Sequence, residues 1–320
     1  MDIGFIGVGG IAGNYLNSLD RLDGVTVSAV CDIDDARAQA VADRFGSRTY
    51  DDHGAMLAQE QLDALFIAVP PFAHTDQEIQ AAERGIPMFI AKPVAIDMET
   101  AGRALAAIRA NDVTTGVGYM WRHSDLTDRA SEMLRDHRVG MAIGSVHVNT
   151  PGTAWWRVYE QSGGQIVEQS THIYDLARYF CGEASQVHGW GGDELNARID
   201  FDDVTSVNIR FDGGAVGVVT STSNVRTGRY MLELIGDDFH LSLNYGGAIM
   251  TGHVGEEQVE FVAEESGYYI QVERFIEAVK TGDRSLIRSD YADAAASLAL
   301  TLAANETLAT GAIADVPRIA

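Results

Sequence analysis

An apolar run at residues 3–6 leads directly into Gly7-Val8-Gly9-Gly10-Ile11-Ala12, and this junction restricts the fold more than any other stretch of the chain. A strand that ends on G-x-G-x-x-A and opens a helix marks the first crossover of a dinucleotide-binding sheet. Gly7 permits the tight turn, Gly9 lets a pyrophosphate approach the backbone, and Ala12 keeps helix and strand close. Gly10 and Ile11 open the helix, whose free amides and dipole attract phosphate. Asp32 ends the next apolar run, residues 25–31, about 20 residues beyond the glycines, where a carboxylate accepts both hydroxyls of an adenosine ribose.

The alternation continues to residue 119. Apolar runs at 64–69, 88–90 and 115–119 are separated by helical patterns over 34–45, 73–84 and 97–110. Strands joined through helices require right-handed crossovers, and the product is a doubly wound parallel sheet covered on both faces. After Tyr119 the pattern changes. Helices are expected over 125–134 and 165–180, a strand over 145–149, and a polar, aromatic loop over 150–161. Short β-rich runs at 204–211, 215–220, 231–235, 240–243 and 258–262, punctuated by Gly- and Asp-rich turns, give an antiparallel sheet. Helices over 268–281 and 291–310 end at Gly282 and Gly311, where left-handed caps are expected. The fold class is therefore α/β: a Rossmann domain over 1–119 and an α+β domain with a large, mainly antiparallel sheet over 120–320, its closing helices packing back on the first domain.

The charge balance narrows the partners. Asp and Glu number 46 against 23 Lys and Arg, a formal charge of -23, and the only lysines are Lys92 and Lys280. Such a chain cannot assemble the basic face that nucleic acid requires. An acidic surface almost without lysine fits a salt-rich cytoplasm, where the Debye length falls to about 3 Å at 1 M salt and self-repulsion is screened. No apolar run approaches the roughly 20 residues of a membrane span, and Met1-Asp2 leads straight into a strand, so a soluble cytoplasmic protein is expected. Cys31 and Cys181 form no redox or metal motif, and no His, Cys and Asp cluster has metal-ligand spacing.

Three groups carry the candidate chemistry. Glu168 and His172 stand four residues apart, on one face of an uninterrupted helix, where a carboxylate orients an imidazole and stabilises its cation. Lys92 ends an apolar run in Ala91-Lys92-Pro93, and a chain that has nearly eliminated lysine retains one there. With the glycine loop, this set points to hydride transfer at a hydroxyl-bearing carbon. Asp32 favours NAD over NADP, because a 2′-phosphate about 4 Å from a carboxylate meets a repulsion of order 1 to 4 kcal/mol. Arg37, one turn into the next helix, is the counterweight.

The glycine loop, Ala91-Lys92-Pro93 and the run from Gly163 to Leu176 that holds Glu168 and His172 together resemble the Gfo/Idh/MocA family along essentially the whole chain. The resemblance implies an NAD(P)-dependent oxidoreductase acting on sugars, inositols or related polyols, assembled as a dimer or tetramer through the open face of the second sheet. It implies that Lys92 contacts the nicotinamide ribose and the reacting hydroxyl, that His172 transfers the proton, and that Glu168 is the acid one turn before it. The segment Val69-Pro70-Pro71, with His74 behind it, resembles the family's loop over the nicotinamide, although His74 equally suits a helix cap. Ala91 departs from the family's Glu-Lys-Pro and removes a carboxylate beside Lys92. Tyr119 and Arg122, then Trp156 and Arg157, are candidate substrate contacts, since aromatic faces stack on sugar rings and Arg donates to oxygen. The alternatives are an NAD-dependent glycoside hydrolase or lyase on the same fold, or a non-catalytic NAD or sugar sensor. A cis Lys92-Pro93 bond is also expected, since the lysine must turn from a strand end.

Overall fold

The computed structural model describes residues 1–319, which divide into two compact units. The first comprises Met1–Met120 and Ser266–Ala294, and the second Trp121–Glu265 and the chain from Ala295 on. No helix among the described residues is long and apolar enough to cross a membrane.

Six parallel strands build the first unit: β1 (Asp2–Ile6), β2 (Thr26–Cys31), β3 (Arg48–Tyr50), β4 (Ala64–Ile67), β5 (Met88–Ile90) and β6 (Thr115–Val117). Their order is β3-β2-β1-β4-β5-β6, the doubly wound arrangement expected. Every residue of β4 and β5 is buried, as continuous apolar strands covered on both faces must be. Helices α1 (Ala12–Leu19), α2 (Asp35–Phe45), α3 (His53–Gln59), α4 (Gln77–Glu83) and α5 (Met98–Ala110) supply the cover. Asp34, Asp52 and Asp97 cap α2, α3 and α5 by accepting from the amides of Arg37, Ala55 and Thr100. Part of the chain's acidity thus serves helix initiation.

The second unit begins with α6 (Asp125–Met133), and its sheet contains β7 (Val139–Asn149), β8 (Ala184–Gly192), β9 (Val204–Phe211), β10 (Val216–Thr222), β11 (Asn224–Gly236), β12 (Phe239–Asn244), β13 (Ile249–Val254), β14 (Glu257–Val262) and β15 (Ala314–Asp315). The order is β14-β13-β12-β11-β7-β10-β9-β8-β15, with β7 and β10 parallel and the other pairs antiparallel. The short α7 (Tyr159–Ser162) and the long α8 (Thr171–Cys181) precede β8. α8 crosses the sheet at Gly144, where a Cβ would stand 2.5 Å from Cγ2 of Ile173, so only glycine admits this approach. α9 (Gly267–Thr281) belongs to the first unit and lays Phe275 edge-on against Phe66 and Phe89. α10 (Tyr291–Thr310) is the last helix, and Gly282 and Gly311 follow α9 and α10 at φ 79° and 68°, the left-handed caps foreseen.

Two expected helices differ from the observed ones. The helix expected from residue 73 begins only at Gln77, because Pro70 leads into a one-turn 3-10 segment (Pro71–Ala73) and the Gln77 side chain bridges the Thr75 amide and the Ala73 carbonyl at 2.7 and 3.0 Å. The continuous helix over 165–180 is replaced by a π-turn, Ile166–Ser170, running into α8. π-turns widen the helix to an i→i+5 spacing. Glu168 and His172 are therefore not on successive turns of one α-helix.

Candidate active site

In the first unit the glycine loop is clamped to the end of β2. The Gly7 amide donates to the Cys31 carbonyl at 2.8 Å, and the Val8 amide to Oδ2 of Asp32 at 2.8 Å. Gly7 holds φ at 79°, and a Cβ there would stand 2.7 Å from the Ala68 carbonyl oxygen and 2.9 Å from Cγ1 of Val69. Gly9 and Gly10 are different: nothing lies within 4 Å of where their Cβ atoms would be. No side chain caps the N-terminus of α1. Open backbone at Gly9 and Gly10 beside an uncapped helix start fits a pyrophosphate, so Gly7, Gly9, Gly10, Ile11 and Ala12 suit an NAD cradle.

Asp32 holds the loop and is itself held. Its Oδ1 accepts from the Asp34 amide and from Nη2 of Arg37, both at 2.9 Å, and its side chain is 6% exposed. Arg37 is half-exposed, and its charge is already engaged by Asp32 and, at 3.6 Å, by Asp34. Val69, Pro70 and Pro71 follow β4 after Ala68, and the buried His74 comes three residues on with Nδ1 2.5 Å from Oε1 of Glu78. His74 is thus paired to α4 one turn on, and it does not cap that helix. Lys92 follows β5, and the Lys92-Pro93 peptide is cis. Ala91, in place of the family glutamate, is buried in the apolar cluster with Tyr15 and Phe89. Tyr119 is fully buried after β6.

In the second unit the imidazole of His172, in the first turn of α8, rests against Trp121 with ring centroids 5.0 Å apart. Trp121 also meets Tyr230 at 4.8 Å and Tyr245 at 5.1 Å. These two tyrosines, from β11 and the turn after β12, escaped sequence reasoning, because only sheet register brings them to the His172 side chain's neighbour. Burial raises both phenol pKa values, first by desolvation. The Tyr230 hydroxyl accepts from Gln169, the residue after Glu168.

Other expected substrate contacts have internal partners. Oε2 of Glu168 accepts from the Trp156 indole nitrogen at 2.6 Å, and Trp156 is buried edge-on against Phe201. The indole is therefore a strut for Glu168, not an open sugar platform. Arg122 is buried, donating from Nε and Nη2 to both oxygens of Asp175 at 2.7 and 2.6 Å. That fork is committed to Asp175. Arg157 donates to the Pro151 carbonyl at 3.3 Å. Among the described residues no group of three or more His, Cys, Asp or Glu side chains is arranged to hold a metal ion. Burial pushes both Cys31 and Cys181 thiols up to about 12, the range of unreactive cysteines.

A parallel nucleotide-type sheet in one unit, and in the other a large mixed sheet crossed by a helix that carries a buried histidine, fit the class of two-unit, dinucleotide-dependent oxidoreductases. Residues 1–119 match the Gfo/Idh/MocA oxidoreductase family with its NAD-binding Rossmann fold, and residues 128–242 match that family's C-terminal domain. The chain belongs to the Gfo/Idh/MocA family and is an NAD-binding oxidoreductase. It is 26% identical over 330 residues to D-xylose 1-dehydrogenase (NADP(+)) 2 of Haloferax volcanii, covering 99% of this chain and all of that protein. It is 25% identical over 317 residues to scyllo-inositol 2-dehydrogenase (NAD(+)) of Bacillus subtilis, covering 92% of this chain and 90% of that one. A levoglucosan dehydrogenase solved with NADH shares the fold at a TM-score of 0.89 and 19% identity, covering both chains fully.

Proposed function

We propose that the protein oxidises a hydroxyl-bearing carbon of a sugar or polyol with NAD, or reduces the matching carbonyl in reverse. The observation that carries this reading is the intact Lys92, Glu168 and His172 set in a chain of this family, together with relatives named for xylose and inositol. The first unit serves the cofactor and the second the substrate. Bound NAD supplies the hydride acceptor. The amides from Gly7 to Ala12 hold its pyrophosphate, Asp32 its adenosine ribose, and the Val69-Pro70-Pro71 segment with His74 borders its nicotinamide. Lys92 holds the reacting oxygen and stabilises its developing negative charge. His172 takes the hydroxyl proton on its imidazole, and Glu168, fixed by Trp156, supplies negative charge that favours the imidazolium. The test is a screen of aldoses, inositols and sugar acids with each cofactor in concentrated KCl. Accumulating NADH with a free sugar supports the reading; turnover of a glycoside without net NADH contradicts it.

The same clamp sets cofactor choice. Asp32 repels a 2′-phosphate, while its pairing with Arg37 reduces the effect toward the lower end of about 1 to 4 kcal/mol. The expected specificity constant is at least about fivefold higher with NAD than with NADP, since 1.4 kcal/mol is tenfold. A ratio favouring NADP would mean that Arg37 leaves Asp32 to bind the phosphate.

Two further properties belong to this reading. Met141, Val216 and Ile313 are 40%, 48% and 66% exposed and line a shallow depression of about 620 Å³ on the second sheet. Exposed apolar area of this kind marks association surfaces, which supports a homodimer or homotetramer; sedimentation of a monomer at micromolar concentration would refute it. The charge of -23 supports adaptation to high salt. The unfolding midpoint is expected to rise between about 0.1 and 2 M KCl, as the Debye length shrinks from about 10 Å to below 3 Å. A flat or falling midpoint gives the acidity another cause.

A further inference from the structure

Beneath the π-turn that carries Glu168 lies a set of buried oxygens that meet no protein partner. The antiparallel register of β9 and β10 sets Val204 opposite Thr222 and Thr205 opposite Ser221. It continues one step, since the Ser223 amide donates to the Asp203 carbonyl at 3.3 Å. Alternate residues share a face, so Asp203, Thr205, Ser221 and Ser223 stand together on the inner side, in line with the core residues Val207 and Val219. All four are buried, Asp203 and Ser223 completely. Ser221 is bonded, accepting from the Ser170 hydroxyl at 2.7 Å. Oδ1 of Asp203, Oγ1 of Thr205 and Oγ of Ser223 have no hydrogen-bond partner. Neither end of the Gln165 amide has one, although Gln165 is 1% exposed and lines, with Thr205 and Asp202, a cavity of about 210 Å³.

The electrostatics require a counter-charge. The Asp203 carboxylate accepts one bond, from the Leu195 amide at 2.8 Å, and has no ion-pair partner among the described residues. A buried carboxylate without opposite charge costs several kcal/mol. Asp193 and Asp202 add to the negative field here, and the Asp202 carboxyl is held above the usual carboxylate range, first by burial and then by Asp193 and Asp203. Oxygen donors without nitrogen or sulfur suit hard cations. One fully buried carboxylate among neutral hydroxyl and amide oxygens matches a single positive charge.

We propose that Asp203, Thr205, Ser223 and Gln165 bind a monovalent alkali cation, Na⁺ or K⁺, with Asp203 as the charged ligand. Gln165 immediately precedes the π-turn, Ile166–Ser170. The ion thus ties β9 and β10 to the segment that presents Glu168.

Thermal unfolding at constant ionic strength tests this, with choline chloride replaced stepwise by NaCl or KCl. The midpoint should rise and saturate with one alkali ion, as ligand binding to the folded state requires. Asp203→Asn should abolish the difference between choline and that ion, and Ser223→Ala should weaken it. Thallium(I) acetate soaked into a crystal should give an anomalous peak within ligand distance of Asp203. Should Asp203→Asn not fold, Ser223→Ala and the thallium peak still decide. Equal midpoints in choline, Na⁺ and K⁺ without a thallium peak would overturn the proposal and leave the cluster to water. Stabilisation by CaCl₂ with none by Na⁺ or K⁺ would overturn its monovalent character.

Discussion

Replacing His172 by Ala is expected to lower turnover by at least about 10²-fold, the low end for lost general acid–base catalysis, with the affinity for NAD almost unchanged. The imidazole sits in the first turn of α8, in the second unit, while the glycine loop, Asp32 and Lys92 all belong to the first. On the proposed mechanism, deleting it should remove proton transfer and leave the residues of the nucleotide cradle unchanged. Stopped-flow turnover and NADH titration of the same variant separate the two effects. Wild-type turnover would remove His172 from the mechanism. A parallel loss of NAD affinity would make its role structural, acting through the Trp121 packing.

The second large effect concerns stability. Arg122→Met should lower the unfolding free energy by about 3 kcal/mol, the lower end for breaking a buried ion pair, because Asp175 would be left buried without its main partner. The lower end applies because Ser297 donates to Asp175 at 2.6 Å and Arg178 stands 3.8 Å away, so part of the charge stays compensated. At about 2 to 4 °C per kcal/mol for a unit of this size, the midpoint should fall by roughly 6 to 12 °C. Arg122→Met combined with Asp175→Leu should recover much of that loss, since removing both charges avoids the unpaired one. An unchanged midpoint with a raised KM would return Arg122 to the substrate site.

Five of the six parallel strands were readable because strands buried on both faces, such as β4 and β5, are continuous apolar runs bounded by Gly, Pro or Asp, whereas the short, largely exposed β3 lacks that signal. Much of the mixed sheet was readable for a related reason: β9 and β12 alternate buried and partly exposed residues with period two. β8 and β13 were harder, since glycines interrupt them; Gly252 even takes a φ of 143° against the His240 carbonyl. The π-turn at Ile166–Ser170 left no local signal, because an extra residue in a turn is set by what the turn packs against. The partners of Arg122 and Trp156 were hidden likewise. An Arg or Trp suited to a sugar serves equally well in a buried pair, and only the chain's folding brings Asp175 to one and Glu168 to the other. The glycine loop was legible because its chemistry is local: the turn, the strand end and the helix start are contiguous in sequence.

The most direct measurement of the central claim uses the substrate found by the screen, deuterated at the carbon to be oxidised, in a single turnover with NAD. Mass spectrometry of the reduced cofactor should show one deuterium gained, with the substrate recovered as the matching carbonyl product. Reduced cofactor without deuterium, or a product changed while the cofactor stays oxidised, would contradict hydride transfer from that carbon.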